Sequence, residues 1–233
     1  MKPERGFGTE KTWTTFSDDR DDGSSKKAET EGNSEEDDMG RKATVERNTN
    51  ETKIVVSVDL DGTGSAQIFT GIGFFDHMLT LFAKHACIDL SVKTEGDLFV
   101  DGHHSVEDTG IVIGDALKKA LGDKAGITRY GNFLLPMDET LVLCAVDLCG
   151  RPYLGFDLTF TAPVIGGLDT QLIREFFYAL SYSLGASIHL RQMSGINDHH
   201  ISEAAFKGFG RALRQAVSFD SREKGIPSTK GVI

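Results

Sequence analysis

The sequence is short of cysteine, tryptophan and positive charge, and each shortage excludes a class of protein. Only three of its 233 residues are cysteine, Cys87, Cys144 and Cys149, an odd number without metal-ligand spacing. A disulfide scaffold is excluded, and the thiols read as buried or half-buried groups of a reducing compartment. Lys and Arg number 25 against 35 Asp and Glu, a formal net charge of −10. That balance argues against nucleic acid as a partner. A small anionic substrate is compatible with it only where basic residues gather locally. No apolar run approaches the roughly 18 residues that span a membrane. The first stretch is polar and acidic, unlike a signal peptide, so the expected location is cytoplasmic. A His-Glu-x-x-His helix and a Gly-x-Ser-x-Gly elbow are both missing, as is any Schiff-base or flavin signature. Residues 1–40 hold the only tryptophan, Trp13, among twelve acidic and six basic residues. This segment is expected to be a disordered acidic arm.

What the chain does have is one short phrase used twice. His103-His104-Ser105-Val106-Glu107 and His199-His200-Ile201-Ser202-Glu203 both read His-His-x-x-Glu, and each opens a segment of helical period. On a helix, residues i and i+4 share a face, and i+1 lies about 100° round. His103 and Glu107 can therefore grip one ion while His104 points towards another, and His199, Glu203 and His200 repeat the arrangement. Imidazole and carboxylate at this spacing suit a divalent transition metal.

The surrounding pattern is repeated too. Strands are expected at Thr52–Asp59, Ser65–Thr70 and Cys87–Val92, with helices at Phe74–Ala86 and from the first phrase to Leu121. The second half offers strands at Thr140–Val146, Pro152–Phe160 and Ser187–Met193, with helices at Thr170–Leu184 and from the second phrase to Val217. Each half thus reads β-β-α-β-α. The fold class is α/β (α+β), a duplicated unit of ~90 residues in two halves, about 41–125 and 126–233, that pack together over shared helices. The repeat makes His77, 26 residues before His103, the counterpart of Glu175, 24 residues before His199. Five imidazoles and three carboxylates suffice for two sites of four protein ligands. Such sites suit Mn²⁺ or a similar ion better than closed tetrahedral zinc.

Further phrases carry a family resemblance: Phe75-Asp76-His77-Met78-Leu79, Asp101-Gly102 before the first His-His, Pro136-Met137-Asp138-Glu139, Gly150-Arg151-Pro152-Tyr153 and Pro227-Ser228-Thr229-Lys230-Gly231. From Arg41 to Ile233 the chain resembles the imidazoleglycerol-phosphate dehydratases. The resemblance implies a lyase of histidine biosynthesis that converts imidazole-glycerol phosphate into imidazole-acetol phosphate. It further implies a helical layer between two four-stranded sheets, two Mn²⁺ per active site, and a homo-oligomer of 24 subunits (a 24-mer built from trimers) with active sites at subunit contacts. One metal would take His77, His104, His199 and Glu203, and the other His103, Glu107, Glu175 and His200. Glu51 is the implied acid–base group and His85 the group handling the leaving hydroxyl. Arg129, Arg151, Lys207, Ser228, Thr229 and Lys230 would bind the phosphate. Asp108 is expected to orient His103 or His104 from behind. The substrate proton to be removed is not acidified by a carbonyl, so the imidazole ring is the available electron reservoir. Two alternatives differ in class: a di-metal hydrolase, and an inactive relative that keeps the metals only as structural clamps.

Overall fold

A computed structural model describes residues 40–233, and Trp13 and the rest of the expected arm lie outside the described residues. The first sheet grows from the alternation in β2 (Thr52–Asp59), where Thr52, Ile54, Val56 and Val58 are buried and the residues between them face outward. That period of two puts one face of the strand on the core. β2 pairs antiparallel with β1 (Lys42–Asn48) and with β4 (Asp89–Gly96), and β3 (Ala66–Phe69) adds in parallel at the far side of β4. The order is β1-β2-β4-β3. β3 therefore does not pair with β2, its neighbour in sequence, but lies at the edge opposite β1. Helices α1 (Gly73–Ala86) and α2 (His103–Leu121) cover the inner face.

The second half repeats the plan. β5 (Tyr130–Met137), β6 (Thr140–Asp147) and β7 (Tyr153–Asp157) precede a short hairpin, β8 (Val164–Ile165) and β9 (Leu168–Asp169). Then come α3 (Gln171–Leu184), β10 (Ser187–Ser194) and α4 (Asp198–Val217). The sheet order β5-β6-β10-β7 matches the first sheet position for position. Each half is thus β-β-β-α-β-α, with one strand more at its start than the sequence pattern suggests. β1 buries only Ala43. β5 carries Gly131 and Pro136, and proline is tolerated there because β5 is an edge strand. Neither edge strand shows the apolar alternation that marks its neighbour.

The four helices fill the space between the sheets. α2 packs on α3 and α1 on α4, so both helix pairs join one half to the other. Six phenylalanines seal the middle: Phe75, Phe82, Phe176, Phe177, Phe206 and Phe209 are all at most 1% exposed. Phe176 stacks on Phe206 at 5.3 Å between centroids, and Phe82 on Phe209 at 5.3 Å. Burial of each such ring is worth roughly 1.5–3 kcal/mol, with a further ~0.5–1.5 kcal/mol per aromatic pair. Close backbone approach is set by two related glycines. A Cβ on Gly114 would lie 2.9 Å from the Leu184 backbone N and 3.0 Å from the Leu180 carbonyl oxygen. A Cβ on Gly210 would lie 2.8 Å from the Phe82 carbonyl oxygen. The same offset that relates His103 to His199 relates these glycines, so the duplication extends to the contacts that set helix spacing. Among the described residues no helix is long and apolar enough to cross a membrane.

Candidate metal centre and active site

Both His-His-x-x-Glu phrases stand at helix N-termini. Asn197 caps α4 with its side-chain oxygen, accepting from the backbone N–H groups of His199 and His200. Asp101 does similar work for α2 by accepting from the His103 N–H. Each helix thereby fixes the first His and the Glu on one face and turns the second His away.

The first faces meet their counterparts on α1 and α3. His77 and Glu175 are each the fifth residue of their helix, α1 and α3 respectively. On the α1–α4 side, His77 Nε2 lies 2.7 Å and His199 Nε2 3.1 Å from Glu203 Oε1. Lys207 donates to the other carboxylate oxygen at 2.6 Å. His77, His199 and Glu203 offer ligand atoms all within 4.8 Å of one another, the one such group of three among the described residues. Two imidazole nitrogens and a carboxylate oxygen fit a borderline divalent ion. Burial opposes the Glu203 charge, but bonds from Lys207, His77 and His199 outweigh it and hold its pKa at about 2.

On the α2–α3 side, His103 Nε2 lies 3.5 Å from Glu107 Oε2, and His103 and Glu175 line one cleft of about 680 Å³ with Asp101 and the Gly71–Gly73 and Gly166–Gly167 turns. Glu175 also accepts from Arg174 at 2.9 Å. This half-site is looser than its twin and has no lysine at the place of Lys207; Ile111 stands there.

The second histidines sit apart from both groups. His104 Nδ1 is 3.1 Å from Asp97 Oδ2, and its Nε2 is 3.8 Å from Glu51 Oε1. His200 Nδ1 is 2.8 Å from Glu139 Oε2. The neighbouring carboxylate raises the pKa of each ring, Asp97 for His104 and Glu139 for His200. The expectation that Asp108 supports one of the histidines is corrected. Asp108 instead accepts from Thr52 Oγ1 at 2.5 Å and Arg47 Nε at 3.2 Å, tying α2 to the first sheet. The sequence pattern assigns no role to Asp97, and Glu139 stands there only within a family phrase. A signal was available: Glu-Thr opens both β2 and β6, making Glu51 and Glu139 counterparts.

The remaining residues lie in four places. Arg129, Arg151, Ser228, Thr229 and Lys230 line a pocket of about 630 Å³ under the C-terminal tail. Arg129 is held there by Asp147 at 2.8 Å and by the Pro227 carbonyl oxygen at 2.8 Å. Lys207 is away from this pocket, on Glu203. Glu51 is exposed on the β1–β2 turn. His85 lies in the last turn of α1, where burial, then Lys207 and Arg211, push its pKa down and favour the neutral ring.

Comparison with known proteins gives this geometry its context. The imidazoleglycerol-phosphate dehydratase family model matches residues 70–213. The dehydratase of Lachnoclostridium phytofermentans is 58% identical over 185 residues, covering 79% of this chain and 94% of that one. That of Sinorhizobium fredii is 54% identical over 186 residues, with 79% and 92% covered. Crystal structures of the Staphylococcus aureus and Pyrococcus furiosus dehydratases superpose with TM-scores of 0.70 and 0.71 at 38% and 40% identity. They cover 77% and 81% of this chain and 99% and 100% of theirs. With its duplicated halves, its two His-His-x-x-Glu helix starts and identity above half over nearly the full length of curated relatives, the chain belongs to the imidazoleglycerol-phosphate dehydratase family.

Proposed function

We propose that this hydro-lyase of histidine biosynthesis removes water from imidazole-glycerol phosphate, giving imidazole-acetol phosphate, with two Mn²⁺ ions at an active site completed between copies of the chain. The observation that carries the reading is the convergence of His77, His199 and Glu203 on one point, with donor atoms within 4.8 Å. Glu203 is ionised at any physiological pH, as a cation ligand must be. His103, Glu107 and Glu175 form the matching half-site of the second cation. Each half-site counts three donors and lacks a fourth. His104 and His200 are the remaining histidines of the two phrases, and within one chain neither joins the group of three. A neighbouring copy supplies them in this reading, which accords with a homo-oligomer of trimers, expected as a 24-mer.

When bound, the cations supply Lewis acidity at a ring nitrogen of the substrate and favour loss of the ring proton. The protein's own groups do the rest. Arg129, Arg151, Ser228, Thr229 and Lys230 hold the phosphate through charge-assisted bonds, while Lys207, away from that pocket, places a positive charge on Glu203. Glu51, an exposed carboxylate near His104, accepts the proton from the carbon chain. His85, whose ring burial keeps neutral, accepts the proton given up by the substrate ring and returns it to the departing hydroxyl, which leaves as water. The test is an assay for imidazole-acetol phosphate with chelated protein, repeated after Mn²⁺ is returned. Activity lost and regained supports the reading. Full turnover after chelation removes the cations from it, and a metal-loaded assembly with no turnover in any condition leaves only a structural clamp.

A further inference from the structure

The paired phrases use their two histidines in different ways. His103 and His199 direct Nε2 at the glutamate four residues on. His104 and His200 instead present Nδ1 to a carboxylate from outside the phrase. An imidazole that donates its Nδ1–H to a carboxylate is left with its lone pair on Nε2. We propose that Asp97 and Glu139 are positioning residues: each fixes the tautomer and ring direction of one second-position histidine, so that its Nε2 is delivered as the fourth cation donor. The inference rests on the two-cation reading and deepens it.

The two carboxylates are built for the purpose in different ways. Glu139 divides its oxygens. Oε1 accepts from the backbone N–H of Asn197 at 3.0 Å and of Ile196 at 3.3 Å and from Thr140 Oγ1 at 2.9 Å, while Oε2 takes His200. Asn197 is the α4 cap, so one carboxylate locks the helix start and the ring it carries into a single unit. Asp97 spends both oxygens on His104, at 3.2 and 3.1 Å. Its backbone N–H donates to the Glu51 carbonyl oxygen at 3.2 Å and its carbonyl oxygen accepts from the Val100 N–H at 2.8 Å.

The duplication explains why the halves differ. Glu51 and Glu139 are counterparts, each just before the threonine that opens the second strand of its half. In the second half the turn glutamate clamps the histidine. In the first half Asp97 has taken over the clamp, and the Glu51 side chain is left 55% exposed and 3.8 Å from Nε2 of His104. The clamp thus falls to different positions in the two halves, and Glu51 is left free to face the substrate.

The experiment titrates Mn²⁺ into chelator-stripped full-length protein by calorimetry, with particle size followed by light scattering. The variants are Asp97→Asn and Glu139→Gln, with His104→Ala and His200→Ala beside them. Each amide variant is expected to weaken one of the two Mn²⁺ equivalents by about 10–100-fold and leave the other unchanged, as loss of an outer-shell partner typically does. Glu139→Gln keeps an acceptor for Asn197 and Ile196, so the metal-free protein should melt near the wild-type temperature. A fall in melting temperature without selective loss of one equivalent would mean a structural role only and would overturn the proposal. So would wild-type titrations of both amide variants while the histidine variants lose an equivalent. If the histidine variants also titrate as wild type, the two-cation reading itself is wrong and the proposal falls with it. Asp97→Asn, whose carboxylate bonds only His104, decides the matter alone if Glu139→Gln does not fold.

Discussion

His77 and Glu203 are 126 residues apart and belong to different halves, yet His77 Nε2 lies 2.7 Å from Glu203 Oε1. The contact exists because α1 packs on α4, with Phe82 against Phe209 and the Gly210 backbone against α1. Helix spacing set by the core therefore sets the spacing of the ligands.

Replacing either glutamate should expose this dependence. Glu203→Ala and Glu107→Ala are each expected to lose Mn²⁺ affinity by at least the roughly 10–100-fold that outer-shell losses cost. The large assembly should be reduced together with metal content. Metal analysis and light scattering on the same samples check it, and unchanged metal and size in both variants would refute the ligand assignment.

Acid should destabilise the metal-free chain through Glu203. Its folded pKa of about 2 lies below the ordinary 4.5. A depressed carboxylate contributes stability that is present above the unfolded pKa and lost as pH falls through the folded one. The window runs from about 4.5 down to about 2, and the effect is on the order of 3 kcal/mol. Urea midpoints across that window should fall more steeply for the wild type than for Glu203→Gln.

The two arginines of the tail pocket should behave differently. Arg151 is exposed, so Arg151→Gln is expected to raise KM with little change in melting temperature. Arg129 bonds Asp147 twice and the Pro227 carbonyl oxygen once. Arg129→Gln should raise KM and also destabilise the fold by about 1.5–3 kcal/mol, the usual worth of a charged hydrogen bond. Kinetics paired with thermal melts separates the cases; equal melting losses would contradict the assignment.

Adding one methyl at Gly210 should disturb the site from a distance. The new Cβ would press on the Phe82 carbonyl oxygen at 2.8 Å, a backbone atom that moves only if α1 moves. Gly210→Ala is expected to cost roughly 1–3 kcal/mol, as overpacking does, despite alanine's better helix propensity. Mn²⁺ affinity should fall with it. A stabilised variant with normal metal binding would show that α1 tolerates the shift.

Much of this protein is legible in its residues. The repeated His-His-x-x-Glu, the helix ends at Gly122 and Gly185 and the alternation of β2 and β6 give the duplication and its elements, because those signals are local and periodic. β1 and β5 escaped, since an edge strand with few buried positions carries no alternation. The β8–β9 hairpin, two residues to a strand, is too short for any period to show.

Residue order alone determined which side chains share a helix face: His103 with Glu107, and His199 with Glu203, follow from 3.6 residues per turn. Only tertiary packing decided that His77 would join the second pair, and that Asp97 and Glu139 would take His104 and His200. Those partners come from other elements or lie across a turn, and helix-on-helix and strand-turn contacts fix their distances through burial and shape. No linear spacing encodes that.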